Sequence, residues 1–344
     1  MSLQFLTNGV FLAIIAHGLI GISLLWDKVL LQRPATKSLA NYVFWLGGLS
    51  VLGLLLIPFG FHLPSASIAG LAVATGAIHL AAIWFYYTAL KLGDASETLA
   101  VMGGFAPLAT ALIGIPLLSG PLGHNRELAF ALMVGGGFVM FGSERFNWQR
   151  ILPSVLASAG LFGLVNVLQK VVFNVTGFVT GYVFFTFGTF LGAMALLLRP
   201  MWREQILEDS GDAPPRSRFW YFVNRFMAGV GSFLIFFAIS RTNPAVVSAI
   251  AGVRYTIIFL GAYLITRLKP DWLTEDFHRR VLIGKSVATA LIVAGLVLFG
   301  LGGREAGDAG PAANSSPRLS EWAIDRRLLA AHRTCAPTQA ATAG

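Results

Sequence analysis

The sequence predicts an all-α membrane protein of about ten transmembrane helices, arranged as two inverted five-helix repeats. Composition, the recurrence of long apolar segments and an internal self-similarity all point to this fold class. Of the 344 residues, 56% are hydrophobic and 12% are charged, and the mean hydropathy is +0.71. Because a soluble domain carries about 25% charged residues, this chain has too little polar material to cover a water-facing fold.

Apolar segments long enough to span a bilayer recur from one end of the chain to the other. About 20 helical residues, each rising 1.5 Å, cross a hydrocarbon core about 30 Å thick. The segments must be helices, because lipid leaves no partner for unpaired backbone groups and no apolar–polar alternation suggests barrel strands. The predicted spans are Val10–Leu30, Ala40–Phe61, Ser67–Leu90, Thr98–Leu118, Glu127–Gly142, Ile151–Phe173, Gly177–Leu198, Phe219–Ile239, Ala245–Thr266 and Leu282–Leu301.

The segments between and after the spans differ in composition. Arg199–Arg218 and Arg267–Arg280 are polar connections. From residue 303 to residue 344 the chain is rich in Gly, Ala, Pro and Ser, which predicts a flexible polar tail. A short interfacial helix over Ser320–Arg333 is the alternative for part of that tail. Met1–Asn8 has no Lys or Arg, so the first apolar run is interpreted as a membrane helix and not as a cleaved signal.

The charge of the chain is distributed as expected for membrane loops. The net charge is +9, but no basic stripe accompanies an aromatic stacking surface, so nucleic-acid binding is not predicted. Lys and Arg lie mainly after odd-numbered spans, and only Arg126 and Arg241 follow even-numbered ones, which by the positive-inside rule places both termini outside. The single cysteine, Cys335, excludes an intrachain disulfide and a cysteine-based metal site.

The two halves of the chain resemble each other in the same order. Segment 17–28 matches segment 159–170, and segment 86–95 matches segment 236–245 at nearly the same offset. The identical pairs in the first match are Gly18 with Gly160, Leu19 with Leu161, Gly21 with Gly163, and Lys28 with Lys170. Because each repeat has an odd number of helices, the second copy enters the membrane from the side opposite to the first. This inverted arrangement is found in secondary transporters, whose solute site lies near the midplane between the two repeats. The predicted organisation is a first repeat over 1–142, a linker over 143–150 and a second repeat over 151–302.

One stretch of residues resembles the EamA-like branch of the drug/metabolite transporter superfamily. It comprises Tyr87-Thr-Ala-Leu-Lys-Leu-Gly-Asp-Ala-Ser96 and Gly103-Gly-Phe-Ala-Pro107, and it recurs as Ala238-Ile-Ser-Arg241 to Ala245-Val-Val-Ser248. The family similarly joins its third and fourth helices through an Ala-Leu-basic-x-x-x-x-Ala turn and has a proline inside the fourth. The resemblance covers residues 10–302.

The sequence departs from this family at two places. Leu118-Ser-Gly120 stands where the fourth helix often closes with glutamate, and Ile257 stands at the second-half counterpart of Pro107. The resemblance implies a metabolite or amino-acid carrier without a bound cofactor, a monomer or homodimer in a plasma (bacterial inner) membrane. It also implies cytoplasmic termini, the opposite of the charge distribution, so the orientation stays open.

Ionisable residues within the predicted spans are the candidate site residues, because a charge in lipid is costly unless it faces a cavity or a partner. Arg254, near the middle of the ninth span, is predicted to bind a carboxylate or phosphate of the solute. The alternative for Arg254 is a structural contact with helix carbonyls. For Arg225, nearer a helix end, snorkelling to the headgroups is favoured over solute binding. His17 and His79 either hydrogen-bond across helices or couple transport to protons.

Aromatic and amide side chains complete the predicted substrate-binding set. His79, Ile83 and Tyr86 share one helical face, which either lines a cavity or belongs to packing or an interfacial belt. The other members of the set are Trp84, Tyr87, Asn166 and Tyr255.

The chemistry of these residues favours a carrier over an enzyme. Asp27, Asp94 and Glu97 lie at predicted helix ends, so no carboxylate is expected at membrane depth, where cation antiporters generally need one. Catalytic residues are not predicted, because no nucleophile–base pair, carboxylate pair or metal-ligand set is visible. The predicted function is a secondary transporter, exporter or exchanger, of a small anionic or zwitterionic metabolite such as an amino acid. The alternatives are an exporter of drug-like or quaternary-amine compounds held by an aromatic cavity, and a non-transporting membrane subunit.

Overall fold

The structure, a computed structural model, describes most of the predicted spans. The described residues are 9–31, 38–92, 95–118, 124–143, 148–209, 215–268, 283–284, 286–295 and 298. Within these ranges the chain is about 94% helical and contains no strand, which confirms the all-α prediction for the described residues. The predicted tail over 303–344 and the alternative helix at Ser320–Arg333 lie outside the described residues.

Eleven α-helices and one long 3-10 helix make up the described part of the chain. The helices are α1 (Gly9–Leu31), α2 (Leu39–Leu49), the 3-10 helix (Ser50–Phe59), α3 (Ala66–Leu92), α4 (Ala95–Leu118), α5 (His124–Ser143), α6 (Trp148–Leu196), α7 (Pro200–Asp209), α8 (Pro215–Arg241), α9 (Pro244–Ala249), α10 (Gly252–Leu268) and α11 (Ser286–Gly295).

Seven helical spans in the described residues are long and apolar enough to cross a membrane, so the chain is a multi-pass membrane protein. They run over Gly9–Asp27, Leu39–Phe59, Ala66–Leu92, Val101–Leu118, Arg150–Leu196, Phe222–Arg241 and Pro244–Leu268. Two shorter apolar helical stretches, Glu127–Val139 and Ser286–Gly295, fall in α5 and α11.

The sixth and seventh predicted spans form one continuous element, α6. Gly177 is its one non-helical residue, with φ 72° and ψ 175°, and two helical stretches meet there in a kink. Glycine adopts this positive φ without the clash that a Cβ would produce. The expected boundary between residues 173 and 177 is therefore a kink and not a loop.

The ninth predicted span is interrupted where one helix was expected. Helix α9 begins at Pro244, capped by Asn243, whose Oδ1 accepts the Ala245 N–H at 2.8 Å. It ends at Ala249, and α10 begins at Gly252. At the turn, the Ala251 N–H donates to the Ser248 carbonyl at 3.2 Å. This acceptor is three residues back, whereas in a regular α-helix it would be Val247, four residues back. The Val247 carbonyl is thereby available to a side chain from another helix.

The predicted polar connection Arg199–Arg218 contains a helix, α7. Ile206 is buried, and the rings of Trp202 and Trp84 lie 4.8 Å apart between centroids. Residues 202 and 206 share one helical face, so α7 is amphipathic and packs against the bundle through that face. The expectation of a loop is wrong here because the low overall hydropathy of the segment hides this stripe.

Small residues allow the closest helix packing, between α3 and the second half of α6. A Cβ on Gly76 would lie 2.6 Å from the Thr189 backbone nitrogen, and one on Gly188 would collide with the Val73 backbone. The Thr189 hydroxyl donates to the Gly76 carbonyl at 3.1 Å. Glycine at such crossings is typical of membrane helices, whose association depends on close van der Waals contact. Helix α1 packs on α8 and α10, and α4 packs on α6, which surrounds a central space with helices of both halves.

Candidate functional site

A cavity of about 670 Å³ occupies the space between the two halves of the bundle. Ligand clefts in proteins typically measure roughly 300–1,000 Å³ and combine apolar walls with a few polar groups. The walls here are mainly aliphatic and aromatic. The ionisable side chains that line the cavity are His17, Asp27, His79, Tyr86, Tyr87, Tyr182, Arg225 and Arg254.

His17 connects α1 to both sides of the break between α9 and α10. Its Nε2 lies 2.9 Å from the Val247 carbonyl oxygen, and its Nδ1 lies 2.9 Å from Nη2 of Arg254. A carbonyl can only accept and a guanidinium can only donate, so Nε2 carries the hydrogen and Nδ1 supplies a lone pair. The contacts therefore assign a neutral imidazole with a single tautomer.

Arg254 has donor capacity that the described residues do not use. Nη2 is bound to His17, whereas the buried Nε has no hydrogen-bond partner among the described residues. No described carboxylate forms an ion pair with Arg254. A guanidinium in this state can bind a carboxylate or phosphate with two parallel hydrogen bonds.

Arg225 is buried and paired inside the bundle. Its Nη2 forms an ion pair with Oδ1 of Asp27, and the two residues are only 5% and 4% exposed. Nη1 lies 3.4 Å from the Tyr87 hydroxyl, and the guanidinium carbon lies 4.6 Å from the centroid of the Tyr42 ring. The favoured snorkelling interpretation of Arg225 is wrong, because the antiparallel packing of α8 on α1 places it against a carboxylate.

Asp27, which was predicted to lie at a helix end, is buried. It belongs to the first apolar span and accepts a hydrogen bond from Asn224 Nδ2 at 2.6 Å in addition to the ion pair. The Asp27 charge is balanced by Arg225, whereas Arg254 has no described counter-ion. Asp27 follows His17 by ten residues of α1, about 15 Å along the helix axis, so the paired and unpaired cations lie at different levels of the cavity.

His79 lies in an aromatic part of the cavity. The centroids of the Phe162, Phe185 and Phe236 rings lie 5.1–5.7 Å from the centroid of its ring. Its buried Nδ1 has no hydrogen-bond partner in the described part of the chain. Tyr86 lines the same cavity. An imidazole nitrogen without a partner among phenyl rings is expensive to bury.

The structure brings together most, but not all, of the predicted binding set. Asn166, Tyr87 and Arg225 line the cavity. The Nδ2 atom of Asn166 lies 3.5 Å from the Thr110 hydroxyl oxygen. Trp84 does not line it and instead packs on Trp202 of α7. The side chain of Tyr255 lies outside the described residues.

Sequence reasoning missed Asp27 as a cavity residue, although the repeat contains a signal for it. Asp27 aligns with Gln169 in the same segment match that pairs Gly21 with Gly163. Gln169 is also fully buried, and its Nε2 donates to the Gly181 carbonyl at 3.2 Å. Both matched positions thus hold a buried polar side chain that has a hydrogen-bond partner.

Comparison with known proteins places the chain by fold. No family model matches the sequence, and no curated protein matches it. Chains of solved structures do match, and one of them, a crystal structure of a protein, superposes with a TM-score of 0.57. That match covers 88% of this chain and 99% of the other at 17% identity, which establishes similarity of fold alone. Fold and site together define a helical multi-pass membrane protein with a large internal cavity.

Proposed function

We propose that the protein is a secondary transporter, exporter or exchanger, that moves a small anionic or zwitterionic metabolite such as an amino acid by alternating access. The observation that carries this proposal is the cavity, with the Arg254 guanidinium on its wall and no described carboxylate paired with that guanidinium. A cavity of this size with a charged group on its wall is suited to binding one small solute, which a carrier requires.

The interrupted helix supports the proposal because discontinuous helices form the solute sites of many secondary transporters. Arg254 lies just after the break, near the middle of the span Pro244–Leu268. Backbone groups freed by such a break are tolerated at membrane depth only where protein or a cavity satisfies them. Here His17 satisfies the Val247 carbonyl.

The proposed architecture is ten spans in two inverted repeats. Counting α6 as two spans that meet at Gly177, and adding the shorter α5 and α11, gives ten. Matched glycines support the repeat. A Cβ on Gly21 of α1 would lie 3.2 Å from the Arg254 carbonyl, and a Cβ on Gly163 of α6 would lie 2.8 Å from the Thr110 nitrogen. In the proposed repeat, the first span corresponds to the sixth and the fourth span to the ninth. The contact between the first and ninth spans is therefore equivalent to the contact between the sixth and fourth spans.

A second pair of crossings supports the same correspondence. The Ser158 hydroxyl of α6 donates to the Ala82 carbonyl of α3 at 3.0 Å. At the equivalent crossing, a Cβ on Gly231 of α8 would lie 3.2 Å from the Ala16 carbonyl of α1. Ala16 and Ser158 are separated by the same offset as Gly18 and Gly160. Membership of the EamA-like branch of the drug/metabolite transporters is part of this proposal and rests on the sequence resemblance.

His17 is the first candidate for proton coupling in this proposal, because its two nitrogens contact the Val247 carbonyl and Arg254. A proton on Nδ1 and the hydrogen bond from Arg254 exclude each other, because both need the same lone pair. Protonation would also place two cations side by side, so binding of a proton would release Arg254 toward an anionic solute. His79 stays the other candidate for this role.

The test is counterflow in proteoliposomes loaded with one unlabelled solute, with uptake of the same labelled solute measured for a panel of amino acids, carboxylates, phosphate esters and quaternary amines. We expect trans-loading to accelerate uptake of at least one anion or zwitterion and of no quaternary amine. Acceleration only of the amines would favour the drug-exporter alternative, which the aromatic walls of the cavity support. No acceleration of any solute would contradict transport and leave the non-transporting subunit.

A further inference from the structure

The cavity has an apolar side opening between the 3-10 helix and α8. Several residues that line the cavity are at the same time largely exposed on the surface of the bundle, which places them at its rim. On the 3-10 helix these are Leu52 and Leu55, the latter 69% exposed; on α8 they are Phe226, 70% exposed, and Val230.

The 3-10 helix side of this opening packs on α6. Ser50, at the start of the 3-10 helix, donates to the Thr186 carbonyl at 3.0 Å, and a Cβ on Gly53 would collide with the Thr186 side chain. The 3-10 helix is thus docked on α6 and not on α8. The rings of Trp45 on α2 and Phe222 on α8 contact each other, with centroids 6.3 Å apart. Further along α8, a Cβ on Gly229 would meet no atom within 4 Å, so this position has free space beside it.

The opening lies within membrane spans and faces sideways. Its two sides belong to the apolar spans Leu39–Phe59 and Phe222–Arg241. Exposed apolar side chains on spans of this kind face lipid chains and not water. A solute that uses this opening therefore passes from the hydrocarbon region directly to the cavity.

The two ends of this path differ in chemistry. Leucine, phenylalanine and valine side chains form the rim, and Arg254 with His17 forms the polar inner end. The rim helix is unusually long for 3-10 geometry, because runs of more than three or four residues are uncommon.

We infer that the solute is an amphipathic anion, whose carboxylate, phosphate or sulfonate head binds Arg254 while its hydrocarbon part occupies the side opening between Leu52, Leu55, Phe226 and Val230. This inference rests on the proposed function and narrows its solute class. It requires the apolar part of the solute to contribute to affinity, because each buried methylene improves binding by about fourfold relative to water.

The test uses full-length protein in nanodiscs of phosphatidylcholine and a series of linear alkyl sulfonates, which stay anionic at neutral pH. Binding is measured as displacement of labelled octanesulfonate, with empty nanodiscs subtracted and affinities referred to the free aqueous ligand. We expect affinity to increase by at least about tenfold from butanesulfonate to octanesulfonate, and Arg254→Ala to weaken both.

The matched variants are Gly229→Trp, on the rim, and Gly70→Trp, on α3. Both glycines are exposed helical positions at which a Cβ meets nothing within 4 Å, and Gly70 does not line the cavity. We expect Gly229→Trp to reduce the affinity for octanesulfonate by a factor at least about ten times larger than its reduction of the affinity for ethanesulfonate. Gly70→Trp should change neither affinity.

Two results would overturn this inference, and they differ in what they say about transport. Short and long sulfonates that bind equally and depend on Arg254, unaffected by Gly229→Trp, would show that the solute head alone is bound; the proposed function would stand. Binding that is insensitive to Arg254→Ala at every chain length would contradict the proposed function as well.

Discussion

Arg254 donates a hydrogen bond to Nδ1 of His17 across 2.9 Å, and this contact joins α1 of the first half to the helix just beyond the break in the second half. The same imidazole donates to the Val247 carbonyl, so one side chain holds both the guanidinium and the interrupted backbone. The position of the solute anchor consequently depends on a residue more than 200 positions away in sequence.

Replacing His17 separates its hydrogen-bonding role from its titration. A glutamine can donate to the Val247 carbonyl through its amide nitrogen and accept from Arg254 through its oxygen. We expect His17→Gln to stay within about 1 kcal/mol of the wild type in unfolding free energy, and His17→Leu to lose about 1–3 kcal/mol because two buried polar groups lose their partner. Thermal unfolding of the purified protein measures this; equal stability of the two variants would contradict the assignment.

The same glutamine variant tests proton coupling. Because glutamine does not titrate, we expect His17→Gln to retain counterflow but to lose the stimulation of uptake by an imposed pH gradient. The measurement is the ratio of initial uptake rates with and without the gradient in proteoliposomes. Full stimulation in His17→Gln, with loss in a His79 variant, would assign coupling to His79.

The Asp27–Arg225 pair gives a prediction about coupling between helices. Removing one partner leaves a buried unpaired charge, so Asp27→Leu or Arg225→Leu alone is expected to destabilise the fold by about 3–5 kcal/mol. The double variant should be less destabilised than the sum of the single variants, because no unpaired charge remains. A double-mutant cycle in unfolding free energy measures this, and additive effects would show that the two groups do not interact.

His79 is expected to contribute to function at the expense of stability. Its Nδ1 has no described partner and its neighbours are phenyl rings. We therefore expect His79→Phe to unfold at the same or a higher temperature than the wild type, while solute affinity falls. A stable variant with unchanged affinity would show that His79 serves packing alone.

The contact between α3 and α6 predicts which glycines tolerate a methyl group. Gly76→Ala forces a Cβ into the α6 backbone and should lower the free energy of unfolding by about 1–3 kcal/mol. Gly70→Ala on the same helix meets open space and should be neutral or stabilising by up to about 1 kcal/mol. Unfolding temperatures of the two variants decide this, and equal values would contradict the packing.

The helical class and most span boundaries could be predicted from sequence because hydropathy is a local property. A boundary before Gly177 was predicted, but as a loop and not as a kink within one helix. The break between Ala249 and Gly252 was not predicted, since it lies inside a span that hydropathy treats as one helix. No proline marks this break, and Pro107 and Pro116 lie inside a continuous α4. Local sequence thus predicts the length of a span, but not the point at which its regular helical hydrogen bonding is interrupted.

The candidate site shows the same division. That ionisable residues within spans face a cavity or a partner is a matter of solvation energy, and Arg254, His17 and His79 follow it. That Arg225 pairs with Asp27 depends on how α8 packs against α1, which no local pattern contains. Trp84 was placed with its neighbours in the aromatic run, but it points to α7, whose amphipathic face a hydropathy average conceals.

Counterflow of an anionic or zwitterionic solute by Arg254→Ala tests the central claim most directly. The control is Arg267→Ala, on the same helix, where the guanidinium is exposed over the Tyr263 ring, 5.5 Å from its centroid, and does not line the cavity. Loss of a charge-assisted contact is expected to reduce the rate at low solute concentration by at least about tenfold in Arg254→Ala, with Arg267→Ala close to wild type. Equal rates in the two variants, with both folded, would contradict a carrier that holds its solute at Arg254.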